Sequence, residues 1–346
     1  MRKILLLFLL VVCLAQPVCA LDYTAPSVPE SGADLMPAET ETFSQGLSKL
    51  LGKAISYVSP SLVEAAGVCL SLVGIVMLHS VLQTMPADMK KVIAMVSSLA
   101  IAGILLSRTS SMISLGVETI RELSDYGKLL LPVLTAAMAG QGGVTSATAL
   151  YAGTAIFNML LGAAISKLLI PMVYCFLILS IGGAATGSER LNKLRDMVKG
   201  FVAWSLKTVI YIFTGYITIT GVISGNADAT ALKVTKITMS GMVPVIGGIL
   251  SDASEAVLVG AGVMKNAVGT YGLLALISVW IAPFLQIGAQ YLLLKLTGTL
   301  CATFGAKEPS QLIEQFSGAL GLLLGMTAAM CTLLLVSTVC FMRGVG

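Results

Sequence analysis

Charge is what this sequence has least of. Asp, Glu, Lys and Arg make up 11% of its 346 residues, where a soluble globular domain carries about 25%. Four stretches, 65–87, 129–166, 266–294 and 315–342, contain none of them. A membrane-crossing helix needs about 20 predominantly apolar residues, so the second stretch is long enough for nearly two. Histidine is almost missing: His79 stands alone, which excludes an HExxH zinc helix. There is no Ser-His-Asp set, no phosphate-binding loop and no GxGxxG after a strand. The seven cysteines form no CxxC pair and have no histidine beside them, so neither a metal nor a cofactor is called for. Basic clusters interleaved with aromatics are absent too, which argues against nucleic acid as a partner. Strand-type alternation is absent, which argues against a barrel.

What is present is apolar and helical, with 56% hydrophobic residues. The fold class expected is all-α: a polytopic transmembrane helix bundle with short Gly/Pro-broken, re-entrant helices and an internal repeat of low identity. Residues 1–20 read as a cleavable signal peptide. Arg2 and Lys3 precede the apolar run "ILLLFLLVVCLA", and Val18 and Ala20 stand at the cleavage positions. Residues 21–60 read as an acidic extracytoplasmic leader, disordered at first and closing with a short amphipathic segment. Its Asp22, Glu30, Asp34, Glu39 and Glu41 are unaccompanied by Lys or Arg before residue 49. Residues 61–346 form the multi-pass membrane domain of about seven to nine spans.

Within that domain the first span is expected near 62–83. Lys90 and Lys91 mark an inside loop, and so does "GSERLNKLRDMVKG" with Arg190, Lys193, Arg195 and Lys199. Residues 224–236 read as an outer loop. The loop 306–314 holds Lys307 against Glu308 and Glu314, which favours the outside. Arg343 then favours an inside C-terminus. Between residues 109 and 127 Met112, Leu115, Gly116, Thr119, Ile120 and Leu123 recur at helical spacing, with Glu118, Arg121, Glu122 and Asp125 on the other side. That is an amphipathic helix, lying on the outer membrane surface or on a partner, or packed over the bundle. His79, with Gln83 one turn on, reads as a hydrogen-bonded packing residue.

Two breaks draw attention. Leu129–Ala139 contains Pro132, is too short to span, and ends in Gly140-Gln141-Gly142-Gly143. "PVIGGILSDASEAVLVGAGVMKN", residues 244–266, repeats the design. Pro132 and Pro244 are 112 residues apart, as are Pro171 and Pro283, and the units 92–186 and 201–304 follow the same order. Paired, interrupted apolar segments point to a midplane site or pore. In the second break Pro244, Gly247 and Gly248 stop one segment and Ser251 or Asp252 caps the next. Asp252 and Glu255 share a helix face, and Lys265-Asn266 closes the short helix where a cation is favoured. The candidate pore, gate or structural-break residues are therefore Pro132, Gly142, Gly143, Pro244, Gly247, Gly248, Asp252, Glu255, Lys265 and Asn266. No catalytic or metal-binding residue is nominated.

This block resembles the stage III sporulation protein AE family. Pro244, Val245, Gly247, Asp252, Ala253, Lys265, Asn266, Val268 and Gly269 carry the likeness. The leader is short for the family, and Gly248 stands where other members can carry Arg. The resemblance implies a polytopic membrane protein of the mother cell, in the membrane surrounding the engulfed forespore. It implies membership of a channel-like complex with other membrane subunits, needed for late forespore development, and no enzymatic activity. Self-association into a homo-oligomer is compatible with this. From the residues alone two rivals stay open: a free-standing secondary transporter with Asp252, Glu255 and Lys265 as its coupling site, and a scaffold without a pore.

Overall fold

The computed structural model describes residues 25–37, 43–242 and 247–343, with side chains described throughout these except at 87–88 and 221–265. A short helix α1 (Glu30–Ala33) precedes α2 (Phe43–Leu82), α3 (Ala87–Gly140) and α4 (Val144–Ala164). A π-helical turn (Ile165–Leu169) leads into α5 (Ile170–Thr186). Then come α6 (Glu189–Met242), α7 (Gly247–Thr303) and α8 (Lys307–Arg343). The described residues contain six helical stretches long and apolar enough to cross a membrane. An all-α polytopic bundle is what the charge-free runs imply, and it is what forms.

The helices are fewer and longer than the sequence suggests. The polar stretch 108–128 and the residues at Lys167 and Pro283 all continue as helix, so neighbouring apolar runs fuse. Six candidate spans stand among the described residues, against the seven to nine expected of the whole chain. The segment 129–139, read as half of a re-entrant hairpin, is the end of the 54-residue α3, with Pro132 inside the helix. The expected outer loop 224–236 is helical backbone within α6, and the basic stretch after Ser188 is that helix's first turns. The turn between α2 and α3 runs through Gln83, Thr84, Met85 and Pro86, while three other turns are made at glycines. Gly142, Gly187 and Gly305 adopt φ of 89°, 66° and 79°, a left-handed conformation that other residues enter only with strain.

Directions follow from the contacts. A methyl at Gly116 would lie 2.6 Å from Leu323 and one at Gly127 2.7 Å from Leu334, so α3 and α8 run parallel and in register. Gly269 meets Met342 and Gly298 meets Glu314, so α7 is antiparallel to α8. The Ser80 hydroxyl donates to the Phe304 carbonyl at 2.9 Å. This puts the α7–α8 turn at the same end as the α2–α3 turn and its Lys90 and Lys91. An inside position for Lys90 and Lys91 and an outside position for 306–314 therefore do not hold together. That loop holds one Lys against two Glu, a difference too small to decide a side, whereas a single antiparallel pass each for α7 and α8 fixes which end it shares. Arg343 lies at the opposite end.

The leader also departs from expectation. Residues 25–37 dock on the bundle: Gly32 sits against Ser278 and Val279, and Leu35 is buried with Leu50, Ala54, Leu274, Ile281 and Ala282. Composition across the segment is polar, but Val28, Leu35 and Met36 supply enough apolar surface to hold it.

Candidate functional site

Of the residues nominated from sequence, Pro244 lies outside the described residues. Gly247 and Gly248 open α7, and Asp252, Glu255 and Lys265 follow on the same helical backbone. That helix does not close at Asn266, as a short capped helix would, but runs on to Thr303. Asn266 is exposed, Pro132 is exposed on α3, Gly142 is half-buried and Gly143 buried. Leu130 packs on Gly272, so the α3–α4 turn and the Asn266 region share one end of the bundle. The structure brings these two sets to the same end without showing a contact between them.

A different feature is more fully built. Along α3, Glu118, Arg121, Asp125 and Lys128 fall at intervals of three and four residues and therefore share one face. All four are exposed. They wall a groove of about 600 Å³ whose opposite side is formed by Met159, Gly162, Ala163, Ser166 and Tyr174. Lys128 Nζ lies 2.7 Å from Asp125 Oδ1, and the neighbouring Glu122 accepts a hydrogen bond from Ser31 of the leader. Local sequence explains the shape. Gly162 and Ala163 keep the floor low, and Pro171, lacking an N–H, deprives the preceding turn of a regular bond. The π turn sits one turn before it, the geometry often found at functional sites in otherwise α-helical segments. The amphipathic helix is legible in the sequence; its juxtaposition with the π turn is not, since that needs the pairing of α3 with α4.

The apolar side of that amphipathic stretch is packed in the bundle. Met112, Gly116, Thr119, Ile120 and Leu123 are buried, so packing over the bundle describes it and a position flat on the membrane surface does not.

His79 has partners for both ring nitrogens. Ser97 Oγ donates to the Ile93 carbonyl at 2.7 Å, which leaves its oxygen to accept from His79 Nδ1–H at 2.8 Å. Gln83 then donates through Nε2 to His79 Nε2 at 2.9 Å. A neutral imidazole satisfies all three contacts. Elsewhere Asn158 donates to the Ser124 carbonyl at 3.1 Å and Thr154 to Ser337 at 3.0 Å. Among the described residues no group of three His, Cys, Asp or Glu could hold a metal ion.

Among the described residues, six long apolar helical stretches alternating in direction define a multi-pass α-helical membrane protein. The chain belongs to the family described as stage III sporulation protein AE, whose model matches residues 34–346. It is similar to the stage III sporulation protein AE of Bacillus subtilis (strain 168), with 24% identity over 193 residues, 56% of this chain and 48% of that protein. The chain thus spans about half the length of the curated relative it matches. No solved structure matches.

Proposed function

We propose that this protein is a non-enzymatic, multi-pass membrane subunit of a channel- or secretion-like complex that links mother cell and forespore and supports late forespore development. One observation carries the reading: the family match runs from residue 34 to the last residue and so takes in every long helix. The membrane is the mother-cell-derived one around the forespore, with the mature N-terminus extracytoplasmic. The partners are other membrane subunits of that complex, together with the bilayer. The end of the bundle holding Pro132, Gly142, Gly143 and Asn266, and the helix through Gly247, Gly248, Asp252, Glu255 and Lys265 that follows Pro244, forms or gates the passage.

The test is recovery of the tagged chain from membranes of sporulating cells. A channel subunit co-purifies with other membrane proteins, and its loss arrests forespore development. Purified protein that alone moves a solute into liposomes, and loses this with Asp252→Ala, is a transporter instead. Normal development with Asp252→Ala and Lys265→Ala, at normal protein level, leaves only a scaffold.

A further inference from the structure

The charged face of α3 lies beside helix segments that carry no charge. Leu323 and Leu334 of α8 flank Gly116 and Gly127, and Asn158 of α4 bonds the Ser124 carbonyl. The four exposed ionisable groups between residues 118 and 128 therefore sit at the height of the charge-free runs 129–166 and 315–342. On α4, at that same height, Ile156 is 58% and Leu160 51% exposed. On α6, Phe213 stacks edge-on against Phe157 at 5.3 Å, which sets Ile212, itself 58% exposed, at this height too. One side of the bundle is suited to hydrocarbon and the other is not. Ionised groups facing lipid cost several kcal/mol, and in membrane proteins they face water-filled cavities or partners instead.

We propose that the groove walled by Glu118, Arg121, Asp125 and Lys128 and floored by Gly162 and Ser166 is a water-filled half-channel for hydrated polar solutes. A second copy of this chain closes it. The leader supports water at this depth, since its Ser31 bonds Glu122 on the same stretch of α3. A second copy fits because the four charges lining the groove sum to zero, while Glu122, outside the lining, is held by Ser31. Identical faces arranged about an axis along the membrane normal, the symmetry of closed rings, accumulate no net charge. The apolar rim on α4, beside the groove, supplies the surface to seal against a neighbour. The assignment rests on the reading of the chain as a subunit of a membrane passage and says where in the chain the passage runs.

The experiment uses the full chain in membranes of sporulating cells, with native cysteines replaced and single cysteines placed at 118, 121, 125, 160 and 212. A membrane-impermeant maleimide reports water access, because only a thiol in water ionises and reacts. Positions 118, 121 and 125 should label at least about tenfold faster than 212. A bis-maleimide should link position 160 to a second copy. Labelling at 118–125 as slow as at 212 closes the groove to water and overturns the proposal. Labelling at 212 as fast as at 118 places the whole level outside hydrocarbon and overturns it equally. Cross-links from 160 only to a different protein overturn the second copy. Three labelled positions guard against one variant failing to accumulate. Failure to co-purify with other subunits would instead sink the passage reading itself, whatever the labelling.

Discussion

Helices α3 and α8 run side by side and in register, yet they handle polarity in opposite ways. In its most apolar window α8 buries 61% of residues, against 28% for α3. Both carry polar side chains. Those of α8 close on backbone carbonyls: Ser317 bonds Tyr291, Thr327 bonds Leu324, Ser337 bonds Leu333 and Thr338 bonds Leu334, at 2.8–3.1 Å. A hydroxyl that returns its proton to a nearby carbonyl can be buried at little cost. The carboxylates and cations of α3 have no such local solution, so they take the outer face. Burial here is decided by whether a polar group can be satisfied within its own helix pair, more than by how many polar groups there are.

The sharpest way to break the comparison is to pry the two helices apart. Gly116→Leu forces a side chain into space already held by Leu323, and Gly127→Leu does the same against Leu334. Overpacking of this kind costs about 1–3 kcal/mol or more, and in a helix seam it displaces a whole helix. The expected result is loss of accumulated protein, read by immunoblot of membranes. Combining Gly116→Leu with Leu323→Ala should restore part of it. No recovery in the double variant would mean that the two helices do not meet there.

Arg121→Leu comes next, and it acts on function with little effect on stability. Exposed substitutions away from caps and networks stay within about 0.5 kcal/mol, so thermal stability in detergent should hold. A charged face that lines a passage should lose forespore development on this change, while Ile212→Leu on the α6 surface keeps it. If Arg121→Leu is silent in both measurements, the charged side of α3 is only a solvated surface.

Much of this contrast is legible in the sequence, and the remainder is not for a definable reason. The apolar stripe through Met112, Ile120 and Leu123 follows from local spacing, as do the glycine turns at 142 and 187. Continuity is another matter. Nothing local tells whether a polar helical stretch between two apolar runs ends or carries on, so the spans were expected as separate pieces. The docking of Leu35 is equally hidden, since its neighbours in sequence are acidic and its partners lie 15 to 247 residues away. The groove depends on α3 meeting α4 across the Gly142 turn, and no single segment contains it. At the second break the sequence points to a new helix capped at Ser251 or Asp252 and closing at Asn266, whereas the helix opens earlier, at Gly247, and continues past Asn266. The helical run from Gly247 to Thr303 has no internal stop that overrides its packing.

A smaller effect is expected at the other end of α3, where it pairs with α2. Ser97→Ala removes the acceptor of His79 Nδ1–H and leaves a buried donor unpaired, at a cost of about 1–2 kcal/mol. His79→Leu removes donor and acceptor together and should cost less than Ser97→Ala despite the larger change. Urea or thermal denaturation of the purified variants orders the two. A reversed order would show that the imidazole has a role beyond packing.

The smallest effect belongs to Glu64 and Arg108, 2.9 Å apart with side-chain exposures of 68% and 25%. They stand where the α2–α3 hairpin passes from its apolar sections, residues 65–87 and 92–107, to the charged section above. In water such a pair contributes about 0–1 kcal/mol, and Glu64→Gln should fall in that range, with the loss shrinking further in high salt. Were this height within hydrocarbon, the stranded Arg108 would cost several kcal/mol, because an unpaired charge there has neither partner nor solvent. The size of this one difference therefore fixes the lower limit of water on the polar side of α3. A small, salt-sensitive loss extends the wet face from Lys128 down to Arg108, and a large salt-insensitive one stops it above.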